Sequence, residues 1–249
     1  MGPMKLALRN RLAEWLLAAM ASPTAEGALR ALIEFARTSD ESGLAAGLGK
    51  GDTSSMLETD ERIFERAESG LRLRADLLGD LEALRWRAKR FERALSACRR
   101  SCGPSPIPER PSGSRFAGGS PDEAEVAWSL CAAAALFDAE LFFEVHEILE
   151  PAWGRAADPL KQFLQGLIQV AVGLHHQATG NLRGAVALLT EGTAKLRPFV
   201  PEAWGVELGA FTAEVDALAV RLRTAPGREE REPAAAGAAF PRLVVRATR

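Results

Sequence analysis

The chain has 249 residues, with 31 Lys+Arg against 33 Asp+Glu and a formal net charge of −2. Hydrophobic residues make up 47% and charged residues 26%, the balance of an ordinary globular protein. This excludes a mostly disordered, collagen-like or disulfide-framework chain. Near-neutral charge also argues against a dedicated nucleic-acid binder, so no nucleic-acid partner is expected. No apolar run approaches the ~20 residues that a bilayer span needs, so no membrane partner is expected.

Residues 5–20 place Leu6, Leu12, Trp15, Leu16 and Met20 at helical spacing. Lys5, Arg9 and Arg11 precede the short apolar patch Trp15–Met20, but Glu14 abuts it. The patch is also shorter than a secretory apolar core, so the segment reads as an amphipathic helix and the expected compartment is cytoplasmic. Residues 24–37 repeat the pattern with Ala28, Leu29, Leu32, Ile33 and Ala36, and residues 39–55 read as a loop. Over 57–99 the apolar positions step by three and four, which predicts a long helix or a helical hairpin broken near Gly70 or Gly79. This stretch carries Arg85, Arg87, Lys89, Arg90, Arg93, Arg99 and Arg100. Two readings stay open: a solvated face paired with Glu82 and Glu92, or a docking surface for a protein partner along Arg85–Arg100.

Residues 101–120 are dominated by Pro, Gly and Ser and read as a linker after an N-terminal helical segment, 1–100. Ser120-Pro121-Asp122-Glu123 then predicts a helix start, with Ser120 as N-cap and Pro121 at the first helical position. Further helices are predicted at 136–150, 158–178, 181–197 and 203–222. The Gly180-Asn181 turn makes two of them antiparallel neighbours. The fold class is therefore all-α: a helical bundle of about four to five helices over 121–222, preceded by a separate helical segment. No strand of useful length is expected before the tail. The tail, 223–249, reads as mostly disordered, with Pro241–Val245 apolar enough to dock. The bundle carries 6 Lys+Arg against 14 Asp+Glu, a net of −8, which repels phosphate and suits a cation.

The three cysteines, Cys98, Cys102 and Cys131, have no framework spacing. Cys98 and Cys102 read as small helix residues and Cys131 as a core residue.

Most chemistry sits in two predicted helices. At ~100° per residue, His146 and Glu150 lie ~40° apart, with Glu147 ~100° from His146. Phe142 and Leu149 flank His146, placing it at the edge of a buried stripe. On the second helix, Gln165, Gln169 and His176 fall within ~40° of one another among Leu164, Leu167, Ile168, Val172 and Leu174. Buried polar groups need partners, so the two stripes are expected to face each other. Three readings follow. A structural or pocket-lining network joins His146, Glu147, Glu150, Gln165, Gln169 and His176. Alternatively, His146, Glu150 and His176 ligate a divalent metal, the one candidate cofactor. Thirdly, His146 serves as acid or base, tuned by Glu150. The segment reads His-Glu-x-x-Glu and lacks the second His of a zincin helix.

The residues Leu136-Phe137-Asp138-Ala139, Phe143 to Trp153 (FEVHEILEPAW), Phe163 to Ala171 (FLQGLIQVA), His176 and Gly180 to Ala185 (GNLRGA) occur in that order. This combination resembles the family known as domain of unknown function 309, over about residues 125–200. The resemblance implies a small all-α bundle without an established activity, with recurrent polar positions at His146, Glu147, Glu150, Gln165, Gln169 and His176. The chain departs from that pattern at Glu140, where glycine is usual, and at Pro151, where a stop or kink is expected. The leading function is a binding or scaffold module. The alternative is a metal-dependent or acid–base, hydrolase-like enzyme using His146, Glu147, Glu150 and His176.

Overall fold

The computed structural model describes residues 4–46, 48, 60–106, 119–224 and 240–246. Within them lie eight α-helices and two small antiparallel sheets, so the protein is predominantly all-α. The chain divides into two units, Met1–Ala97 and Cys98–Arg249.

In the first unit, α1 (Leu6–Ala21) and α2 (Glu26–Thr38) form a helical hairpin. Ser22 turns it by accepting from the Thr24 N–H before Pro23. Buried Leu12, Leu16, Leu32 and Phe35 supply its core. The predicted 57–99 helix is corrected here. Phe64–Ala67 (β2) and Gly70–Leu73 (β3) are a strand hairpin, and Leu44–Ala46 (β1) adds a third strand in the order β1-β3-β2. The expected loop at 39–55 thus contains a strand, and the rest of that loop from residue 49 lies outside the described residues. Leu71 and Leu73 alternate with Arg72 in burial, which is the period of a strand rather than of a helix. Gly70 is where the backbones close: a Cβ there would sit 2.1 Å from the Ala45 carbonyl oxygen. Phe64 packs on Phe35 at 4.8 Å between ring centroids, joining sheet to helices.

Helix α3 (Leu81–Ser101) follows and carries the basic cluster. Much of that cluster is used inside the first unit. Arg85 donates to the carbonyls of Ser39 and Asp40, and Arg90 lies over the Trp86 ring at 3.7 Å. Arg87 is buried, and that burial, with Arg9 close by, lowers its pKa to about 9. Lys89, Arg93, Arg99 and Arg100 remain exposed.

The second unit is a sequential bundle: α4 (Glu123–Asp138), α5 (Phe142–Arg155), α6 (Leu160–Ala178), α7 (Leu182–Leu196) and α8 (Gly209–Thr224). The N-cap of α4 is Asp122, whose carboxylate accepts from the Glu125 N–H at 2.8 Å, not Ser120 as expected. Asp122 has the charge suited to a helix start, and it leaves Pro121 outside the helix. Helix α5 runs through Pro151 to Arg155 instead of stopping there. The predicted 203–222 helix begins only at Gly209, because Glu202–Ala203 (β4) and Val206–Glu207 (β5) form a hairpin first.

Val244–Val245 (β6) pairs with β5, so Pro241–Val245 does dock, with Leu243 buried. Of the expected disordered tail, Arg223 and Thr224 instead end α8, and residues 225–239 and 247–249, like linker residues 107–118, lie outside the described residues. No helix among the described residues is long and apolar enough to cross a membrane.

Helices α6 and α7 approach through Gly166, Gly173 and Gly192. A Cβ on Gly192 would lie 2.8 Å from Val170 Cγ2, 2.9 Å from the Gly166 carbonyl and 2.9 Å from Val170 N. Two of those atoms are backbone, so the helices must separate. Overpacking costs about 1–3 kcal/mol, and alanine's helix propensity returns about 1 kcal/mol. Urea unfolding is therefore expected to show Gly192→Ala less stable than the wild type. An unchanged midpoint would mean the helices do not meet there.

A second prediction concerns the α4–α5 turn. Glu140 has φ +58°, the left-handed region in which a Cβ costs roughly 1–2 kcal/mol. Glu140→Gly is expected to raise the urea midpoint by an equivalent of about 1 kcal/mol. A lowered midpoint would contradict that strain.

The reading of the cysteines is corrected too. Cys102, just past α3, forms a disulfide with Cys131 of α4, and only Cys98 is a free thiol. The odd count concealed a pair 29 residues apart. Cys131 is half-exposed rather than core.

Candidate functional site

Helix α5 turns one side into the bundle through Phe142, Val145, Leu149 and Ala152. Glu144 is also fully buried. That apolar repeat leaves His146, Glu147 and Glu150 half-buried along its edge. One ligand atom from each of the three lies within 4.8 Å of the others. His146 Nδ1 is 3.2 Å from Glu147 Oε1, with side-chain exposures of 27% and 15%. Helical spacing brings His146 and Glu150 together, since i and i+4 stack one turn apart; the Glu147 carboxylate reaches the imidazole from ~100° around the helix.

Phe143 borders the cluster. Its ring centroid is 6.3 Å from that of His146 and 6.0 Å from that of His175 on α6. His175 is in turn 6.4 Å from His176.

The other candidates have different neighbours. Gln169 Nε2 donates to Glu191 Oε2 on α7 at 3.0 Å. Gln162, three residues before Gln165, donates to the Lys195 carbonyl at 3.3 Å. The Asn181 amide donates to His176 Nδ1 at 3.1 Å, while its oxygen caps α7 through the Gly184 N–H. Gln165 is half-buried on α6. The polar stripe of α6 thus reaches toward α7, the helix it approaches through glycine. Among the described residues, His176 is not in the group that could share a metal ion.

One supporting pair went unread in the sequence. Arg155 closes α5 and pairs with Glu125 in the first turn of α4, at side-chain exposures of 7% and 13%. Arg155 also donates to the carbonyls of Pro151 and Gly119, each at 3.0 Å. The signal was present: in an antiparallel hairpin of similar-length helices, the first turn of one lies beside the last turn of the next.

Residues 130–188 match the family model described as Domain of unknown function (DUF309). The stretch runs from mid-α4 into α7 and contains the FEVHEILEPAW, FLQGLIQ and GNLRGA segments that carried the resemblance. No curated protein and no solved structure matches the chain.

Proposed function

We propose that the bundle is a binding module whose ligand is a divalent metal ion held by His146, Glu147 and Glu150. The convergence of three ligand atoms within 4.8 Å carries the reading. An imidazole with two carboxylates suits zinc, manganese or ferrous iron better than a hard, all-oxygen cage suited to calcium. Three protein ligands leave coordination positions open to water or substrate, as catalytic rather than closed structural sites do. The hydrolase-like reading therefore becomes a consequence of the metal reading, with His146 and Glu147 in the ligand set and His176 outside it.

The architectural alternative has His146 and Glu150 meeting Gln169, Gln165 or His176; of these, Gln169 bonds Glu191 and His176 bonds Asn181. The proposal retains the cytoplasmic placement inferred from the sequence, a compartment in which a disulfide is expected to be reversible rather than permanent.

A thermal-shift series tests it, with the full chain stripped of metal and titrated with Zn(II) or Mn(II). The melting temperature should rise with metal, and His146→Ala should abolish the rise. A wild type indifferent to metal, beside a His146→Ala variant already destabilised without it, would make the cluster architectural.

A further inference from the structure

We propose that Cys102 and Cys131 form a reversible clasp, closed and opened by exchange with a small thiol–disulfide couple of the glutathione class. The clasp determines whether the chain between α3 and α4 is a closed loop or a free connection.

Three observations carry this. Both clasp cysteines are half-buried rather than fully buried, whereas a bond sealed in the core would be protected from exchange. The bond is also separable from the packing around it. Helix α4 buries Val126, Trp128, Leu130, Ala132, Ala133 and Phe137, with Cys131 on its more open side. Cys102 is held at the end of α3 by its own N–H, bonded to the Cys98 carbonyl at 2.8 Å. Opening the S–S bond therefore leaves both helices intact and changes the connection alone.

Thirdly, the remaining cysteine is kept out of the exchange. Cys98 is 1% exposed, and burial pushes its thiol up to about 11, so it stays protonated and inert near neutral pH. The residues leaving Cys102, including Gly103, Pro104 and Pro106, are exposed and lead into the Pro/Gly/Ser-rich stretch.

The chemistry balances without a further reagent. One cysteine, as thiolate, attacks the small disulfide and expels one small thiolate, giving a mixed disulfide. The second cysteine thiolate attacks that bond, forms Cys102–Cys131 and expels the second small thiolate. Two protein thiols are oxidised while one small disulfide is reduced to two thiols. Reduction runs the same steps backwards.

The test equilibrates the full chain in graded glutathione buffers, quenches with acid and counts thiols after denaturation by mass tagging. One thiol is expected at the oxidising end and three at the reducing end, with both forms populated in between. The oxidised form should melt roughly 5–10 °C above the reduced form, as loop closure over this span implies. Cys102→Ser and Cys131→Ala should keep their helical circular dichroism, melt like the reduced wild type and show no glutathione dependence. The alanine variant removes the sulfur without adding a polar group to α4. Three thiols at every buffer ratio would overturn the proposal. So would a bond that survives the reducing end, which would make it a permanent staple, or a redox-dependent melt that persists in Cys131→Ala.

Discussion

Arg155→Ala is expected to lower the stability of the bundle by about 3 kcal/mol, among the largest effects of any single side chain in it. The guanidinium is 7% exposed and meets Glu125, itself 13% exposed, while two more of its donors satisfy the Pro151 and Gly119 carbonyls. Removing it takes the paired cation from a largely desolvated carboxylate and the donor from two carbonyls, and breaking such a pair costs more than the pair is worth when intact. The control is a double replacement, Glu125→Leu with Arg155→Met, which removes both charges and fills the space. It should recover most of the loss in urea unfolding. If Arg155→Ala alone costs under about 1 kcal/mol, the pair behaves as a surface salt bridge, and the end of α5 is held by something else. The pair joins the last turn of the helix that carries His146, Glu147 and Glu150 to the first turn of α4.

The second large effect is metal-linked stabilisation and its loss in His146→Ala. A ligand that binds only the folded state at 100 times its dissociation constant adds about 2.7 kcal/mol. For a chain of this size that corresponds to a rise of roughly 5–10 °C in melting temperature. Glu150→Gln keeps the shape of the site and removes one anionic ligand, so it should retain the fold and lose most of the rise. A ligating imidazole must give up its proton, so acid competes with metal and the rise should shrink on acidification. His176→Ala separates the two ligand sets: it should leave the metal response intact, since His176 bonds Asn181 at the α6–α7 turn. A response lost in His176→Ala would restore that residue to the site.

The helices of the bundle were legible because their signals are local and repeated. The Gly180-Asn181 turn and the order of segments sufficed to place α6 and α7, while the helix expected over 136–150 lies at Phe142–Arg155, with 136–138 ending α4. The i,i+4 nearness of His146 and Glu150 was equally readable, whereas Glu147, ~100° around the helix, falls outside the expected metal set and His176 falls inside it. What could not be read was which neighbour each polar stripe faces. That choice rests on the close α6–α7 approach through Gly166, Gly173 and Gly192, a pairing of positions distant in sequence.

The strands of the first unit failed for a related reason. Phe64, Ala67 and Leu71 step by three and four as in a helix, yet the hairpin is settled by Gly70 lying against Ala45, which no local period announces. The disulfide is the extreme case, since neither cysteine's neighbours name its partner across 29 residues. Glu140 stands where the resembled family usually has glycine, and its backbone is left-handed although nothing in the sequence reading anticipated that.

Equilibrium dialysis of the metal-free full chain against Zn(II), counting bound metal per chain, tests the metal-site proposal most directly. One ion per chain is expected for the wild type, and none above background for His146→Ala or Glu150→Gln that still show wild-type helix content. No bound ion on the wild type, or one ion retained by both variants, would contradict the assignment of His146, Glu147 and Glu150 as the metal site.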